Sequence, residues 1–140
     1  MIRVVIVTIG SCAPEKIAPG LAAETELVFV GHTTAISDAL ELCISMHADI
    51  VLMNLCNSRI HGLRAVQAMR IGNPQVKVLV LARSEKAEYV QAMLRIGISG
   101  YLLHGVDNDD LALSLRTVFS GQVVYSSSIT SALIQPFRDI

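Results

Sequence analysis

The sequence predicts an α/β domain built on a parallel, doubly wound sheet. Short runs of branched apolar residues recur along the chain, at 2–7, 27–30, 50–53, 76–81 and 100–103. Their near-continuous hydrophobicity suits strands covered on both faces, since a strand with one wet face would alternate apolar and polar residues. Between these runs lie segments whose apolar residues repeat at helical spacing. Five such strands alternating with five helices over short connections imply parallel pairing with helices packed on both faces of the sheet.

The elements follow in order. Residues 2–7 are apolar apart from Arg3, and a loop follows at 8–13. Pro14 suits a first helical turn, where the N–H it lacks would have found no partner, and Glu15 beside it complements the helix dipole. Pro19-Gly20 falls inside that helix, which is therefore expected to kink or to begin late. The strand at 27–30 ends at Gly31, and 34–46 places Ile36, Ala39, Leu40 and Cys43 on one helical face.

The strand at 50–53 points towards a polar cluster, with Asn54 at its C-terminal tip. In open α/β sheets that edge faces the crevice where ligands and reacting groups gather. A helix over 62–71, with Leu63, Ala65, Val66 and Met69, stops at Gly72-Asn73-Pro74. After the strand at 76–81, the helix over 85–96 carries Val90, Met93 and Leu94 and ends at Gly97. A short strand at 100–103 precedes the acidic helix start Asp107-Asn108-Asp109-Asp110. That helix runs to about Ser120, with Leu111, Leu115 and Val118 inward and Leu113 outward. Ser126-Ser127-Ser128 and an apolar segment at 129–134 read as the start of a linker helix. The division is thus one domain over 1–124 and a linker segment over 125–140.

Composition narrows the function classes. A chain of 140 residues is one domain able to bury a single sizeable core. Hydrophobic content of 52% is high; a sheet buried on both faces accounts for most of it, and a self-association surface for the rest. No apolar run approaches the roughly 18 residues of a spanning helix, and the layout of a signal peptide is missing. A cytoplasmic protein without membrane contact is expected. Net charge of −1 offers no footprint for a nucleic-acid backbone. Cys12, Cys43 and Cys56 are odd in number and lack zinc-ligand spacing, so reduced thiols are expected.

Several blocks then fall into one pattern. Val30-Gly31, Asp38-Ala39-Leu40-Glu41-Leu42, Asp49-Ile50-Val51-Leu52-Met53, His61-Gly62-Leu63, Val78-Leu79-Val80-Leu81, Glu88-Tyr89-Val90 and Gly97-Ile98-Ser99-Gly100-Tyr101-Leu102-Leu103 stand in sequence. From Ile2 to about Ile134 the chain resembles a bacterial response-regulator receiver domain, of the subclass that precedes a LuxR-type helix-turn-helix. The resemblance implies a flavodoxin-like, five-stranded sheet of order 2-1-3-4-5.

It also implies a phosphorylation site. In the family, acids after the first strand and an aspartate at the third-strand tip hold Mg²⁺, and that aspartate attacks the phosphoryl donor. A hydroxyl after the fourth strand and a lysine after the fifth hold the product. The matching positions here are Thr8 and Ile9, Asn54, Ala82 and His104, and all five depart from the family pattern. An amide is a poor nucleophile and cannot form an acyl phosphate as a carboxylate does. Ile9 offers no ligand atom, and the imidazole of His104 lacks the permanent charge of a lysine. Losing acids and lysine together removes charge from a partly buried place where charge is costly.

The resulting expectation is a regulatory domain of a transcriptional regulator that works without phosphorylation. It has no catalytic residue, cofactor or metal, and is not an enzyme. It acts through a homodimer or a partner protein, and touches DNA only through a helix-turn-helix outside these residues. Tyr101 matches the family's switch aromatic, whose position is coupled to a hydroxyl that Ala82 does not supply; the plainer reading is a half-buried aromatic. The expected interface is Tyr89, Arg95, Tyr101, Leu113 and Arg116.

Other readings stand beside this one. Cys12, Cys56, His61 and His104 share a sheet edge and could make a soft-metal or redox site. Without recognised ligand spacing they read rather as unrelated loop residues. His32 and His47 read as surface residues. The loop Thr8-Ile9-Gly10-Ser11-Cys12-Ala13 faintly resembles a phosphate cradle, which motivates an alternative: a sensor domain binding a nucleotide, flavin or metabolite in the emptied crevice. A stand-alone adaptor is the remaining alternative.

Overall fold

Alternate residues of the central apolar runs face opposite ways, and this divides the core into two layers. The computed structural model describes residues 1–10, 26–56, 59–84 and 86–126. Its elements are β1 (Ile2–Ile9), β2 (Leu27–Thr33), α1 (Ile36–Ser45), β3 (Ile50–Leu55), α2 (Arg59–Gly72), β4 (Lys77–Ala82), α3 (Ala87–Ile96), β5 (Gly100–Leu103), α4 (Asn108–Phe119) and β6 (Val124–Tyr125). All strand pairs are parallel, in the order β2-β1-β3-β4-β5-β6. Val5, Val7, Val51, Met53, Val78 and Val80 pack with α1, α2 and α3, whereas Val4, Ile6, Ile50, Leu52, Leu79 and Leu81 pack with α4. The doubly wound parallel sheet expected from the sequence is the fold observed.

The sheet has six strands, one more than expected. Val124 and Tyr125 pair with Gly100 and Tyr101, and the Ser126 Oγ accepts from the Leu103 N–H at 3.0 Å. Two residues carry no periodicity, so only pairing with the open edge of β5 makes them a strand. The sheet therefore continues to Tyr125, just past the expected boundary at 124. β2 also outlasts its apolar run. It crosses Gly31, where a Cβ would lie 2.3 Å from the Leu42 side chain, and a register shift passes over Val30. β3 extends through Asn54 to Leu55. The helix expected from Pro14, with its Pro19-Gly20 interruption, and the linker helix at 129–134 lie outside the described residues.

Helix ends follow the sequence signals. The Asp107 carboxylate accepts from the Asp110 N–H at 2.8 Å and caps α4. Gly97, at φ 94°, ends α3 in the left-handed conformation that favours glycine. At the edge where the strands begin, cations meet helix ends and turns. The Lys77 Nζ donates to the Val118 and Phe119 carbonyls at 3.0 and 3.2 Å, closing the last turn of α4. The Arg3 Nε donates to the Met46 carbonyl at 2.6 Å, at the end of α1, and Arg70 to those of Pro74 and Val76. Among the described residues, no helix is long and apolar enough to cross a membrane.

Candidate functional site

At the opposite edge the strand ends converge. Asn54 lies in β3 beside Thr8 of β1 and Leu81 of β4, while Ile9 lies beside Leu55 and Ala82 beside Leu103. His104 follows β5, its N–H donating to the Ala82 carbonyl at 2.8 Å. The topology thus brings together all five positions singled out in the sequence: Thr8, Ile9, Asn54, Ala82 and His104.

Asn54 is 0% exposed, and neither its Oδ1 nor its Nδ2 has a hydrogen-bond partner among the described residues. A buried amide in that condition costs about 1–3 kcal/mol for each unsatisfied group. Its neighbours are committed elsewhere. The Thr8 Oγ1 lies 3.0 Å from the Nε2 of exposed His32 on β2. Ile9 packs against the core beneath α1, α2 and α3, and Ala82 is buried. The His104 Nε2 lies 3.0 Å from the Leu55 carbonyl. A carbonyl only accepts, so this nitrogen carries the proton. The contact ties the end of β5 to the end of β3.

These donors do not fit Mg²⁺. A hard dication is held by carboxylate oxygens with carbonyls and waters, and this edge presents a hydroxyl, an isoleucine and an amide. Among the described residues no group of three or more His, Cys, Asp or Glu is placed to hold a metal ion.

The thiol expectation holds at one cysteine and fails at another. Cys43 is free and buried, and burial pushes its thiol up to about 11. Cys56 is disulfide-bonded, and Cys12 lies outside the described residues. The Cys56 Sγ stands 3.9 Å from the Asn54 carbonyl oxygen, but an oxidised sulfur has no proton to donate. An odd count of cysteines does not reveal which sulfurs the fold brings together, so the sequence could not supply this. His61 is exposed on α2, and His47 is exposed with a φ of 52°.

Tyr101 is wholly inside rather than half-buried, at 0% exposed. Its hydroxyl donates to the Ser84 carbonyl at 2.7 Å, and its ring meets Tyr89 edge-on, with centroids 6.3 Å apart and planes at 79°. Burial pushes the Tyr101 phenol well above its usual range, and the Tyr89 phenol adds to the shift. Gly62 leaves the room: a Cβ there would come within 2.8 Å of the Tyr89 hydroxyl. Tyr89 and Tyr101 therefore belong to the core and leave the expected interface. Of that face, Arg95 and Leu113 are exposed, Leu113 to 56%, and Arg116 is partly exposed with its Nε 3.8 Å from Glu26. Sequence reasoning missed the Leu55 and Ser84 carbonyls, since backbone acceptors leave no signature in residue type.

A parallel sheet ordered 2-1-3-4-5, extended here by β6, with the tips of its third, fourth and fifth strands converging on one crevice, is the flavodoxin-like class of α/β domains to which receivers belong. The chain belongs to the response regulator receiver domain family, which it matches over residues 16–116. It is 31% identical over 137 residues to the transcriptional regulatory protein DegU of Brevibacillus brevis, covering 98% of this chain and 58% of that protein. It is 29% identical over 133 residues to the response regulator GacA of Pseudomonas aeruginosa, covering 95% of this chain and 62% of the other. The chain thus spans about three fifths of the length of these curated relatives. Among solved structures, the isolated receiver domain of RcsB from Salmonella enterica, determined with the phosphomimetic BeF₃⁻, superposes with a TM-score of 0.79. Identity is 17%, with 94% of this chain and 98% of that one covered. A LuxR-family regulator from Aurantimonas gives a TM-score of 0.78 at 18% identity, covering 97% of each chain. At such identities these structures speak for the fold alone.

Proposed function

We propose that this receiver domain regulates transcription without being phosphorylated, acting by self-association or by binding a partner protein. The observation that carries this is Asn54: an amide at the third-strand tip, wholly buried and without a hydrogen-bond partner among the described residues. It cannot form an acyl phosphate, among the described residues no group of three or more His, Cys, Asp or Glu stands ready to hold a dication, and His104 is spent on the Leu55 carbonyl. Tyr101 held inward on Ser84 supports the same reading, because its position is set by a backbone carbonyl and not by a hydroxyl at Ala82. DNA contact, by analogy with the longer transcriptional regulators it resembles, belongs to a separate helix-turn-helix domain.

The test is direct. Incubation with Mg²⁺ and a small phosphodonor such as acetyl phosphate should leave the intact mass unchanged and the amide resonances around Asn54 in place. A stoichiometric phospho-adduct would end the proposal. The orphaned amide also motivates the second reading, a crevice that binds a small molecule, because a ligand could satisfy both of its atoms. Complete burial of Asn54 weighs against it. A flat thermal-shift response across nucleotides, flavins and common metabolites would remove that reading, and saturable stabilisation by one of them would put it first.

A further inference from the structure

Charge is not spread evenly over this chain. Its net charge is −1, yet from Arg59 to Gly72, the length of α2, the sequence holds three arginines and no acid. A groove of about 420 Å³ opens between α2 and α3, and its walls include Leu63, Arg70 and Ile71 of the first and Ala92, Arg95 and Ile96 of the second. Leu63 and Ile71 recur at helical spacing on one face of α2, as Ala92 and Ile96 do on α3. Glu88, the one acid of α3, falls a turn before Ala92 and does not line the groove.

The donors of this groove are not all used. The Arg70 Nη1 donates to the Pro74 carbonyl at 3.0 Å and to the Val76 carbonyl at 3.4 Å, while its Nε is buried with no hydrogen-bond partner among the described residues. Arg95 is exposed and meets no acid among the described residues. Both arginines sit in last turns, where a cation suits the helix dipole. That role explains their charge and leaves the apolar walls unexplained, above all Ile71, which is 82% exposed.

We propose that the α2–α3 groove docks an acidic amphipathic helix of a partner protein. A helix laid in a groove between two others presents apolar anchors at i, i+4 and i+7, which meet Leu63, Ile71 and Ile96, and its carboxylates then reach Arg95 and Arg70. Sign selects the occupant: two cations and no acid in the lining favour an anionic partner and repel a basic one. A phosphate backbone would suit the arginines but has no apolar side chain for the walls between them. The inference rests on the partner-binding part of the proposed function and gives that partner a chemistry. The two can fail separately, since the phosphodonor experiment reads the crevice around Asn54 and the peptide experiment reads this groove.

The probe is a synthetic helical peptide of about 15 residues, with leucines at i, i+4 and i+7 and glutamates flanking them. Titrated into the isotope-labelled chain, it should shift the amide resonances of 63–71 and 92–97 and bind more weakly as salt is added. The same peptide with lysine for glutamate should not bind. Arg95→Glu should weaken the acidic peptide by about tenfold and admit the lysine peptide in its place. Ile71→Ser should also weaken it, whereas Arg83→Glu, at an exposed cation outside the groove, should leave it unchanged. Arg95 and Ile71 are exposed, and a thermal melt of each variant separates lost binding from lost folding. Absence of shifts, shifts confined to another face, equal binding of both peptides, or indifference to Arg95→Glu and Ile71→Ser would overturn the inference. An oligonucleotide or an anionic lipid vesicle that binds these residues as tightly as the peptide would overturn it too.

Discussion

At the crevice edge of the sheet a buried amide has no hydrogen-bond partner among the described residues, whereas at the opposite edge Arg3, Arg70 and Lys77 each donate to backbone carbonyls. Both edges belong to the same strands and sit on the same two cores. The difference is where charge can be received. Carbonyls at helix C-termini carry partial negative charge and accept from a cation at modest cost. Clustered carboxylates in a crevice would need a dication to balance them, and this edge carries Thr8, Ile9, Asn54 and His104 instead. Charge persists where the backbone receives it and is withdrawn where only a metal would have.

The largest test of this contrast is Asn54→Asp. A carboxylate there is buried where the present side chain has no hydrogen-bond partner among the described residues, and the variant should lose about 3–5 kcal/mol of stability at neutral pH in urea denaturation. Mg²⁺ should not restore the loss; full recovery in millimolar Mg²⁺ would mean that the crevice still holds a cation and that the two edges are alike. Asn54→Leu points the other way. It keeps the approximate shape and removes two unsatisfied polar atoms, so it should stabilise the fold by about 1–3 kcal/mol.

At the other edge, Lys77→Met removes two charge-assisted hydrogen bonds from the last turn of α4 and should cost about 1–2 kcal/mol. Amide exchange should accelerate first at 117–122. Tyr101→Phe deletes only the hydroxyl on Ser84 and should cost about 1 kcal/mol, with the ring still inside by its shifts against Tyr89. The smallest effect is nil at neutral pH. The Cys43 thiol is raised by burial from 9.0 to about 11, so the folded state favours the protonated form. Its contribution is complete below pH 9 and is lost as pH rises through 11; Cys43→Ala should remove the part of the alkaline decline that begins near pH 9, leaving the part that the buried Tyr101 phenol adds above pH 10.

Much of this was legible in the residues. The near-continuous apolar runs placed five strands, because a strand buried on both faces has little choice but to be apolar throughout. Gly97 and Asp107 marked helix ends through a left-handed turn and a side-chain cap, both local requirements. The helical phase of Leu111, Leu115 and Val118 placed Leu113 outside, as observed. β6 escaped because two residues have no period, and the Cys56 disulfide because pairing depends on distance through space. Tyr89 and Tyr101 were misplaced towards the surface for a related reason: an aromatic residue can serve a core or an interface equally well, and what decides is the space above Gly62 for Tyr89 and the Ser84 carbonyl for Tyr101.

By itself the sequence determined the layer architecture and the identity of the groups at the crevice, because periodicity and side-chain chemistry are local properties carried by each residue. Only the tertiary structure decided that the Asn54 amide would be sealed with no hydrogen-bond partner among the described residues, that His104 would reach the Leu55 carbonyl, and that Phe119 would stand beside Met1, Glu26 and Arg116. Those facts depend on which strand ends meet, and chain segments far apart in sequence meet only when the sheet closes its register.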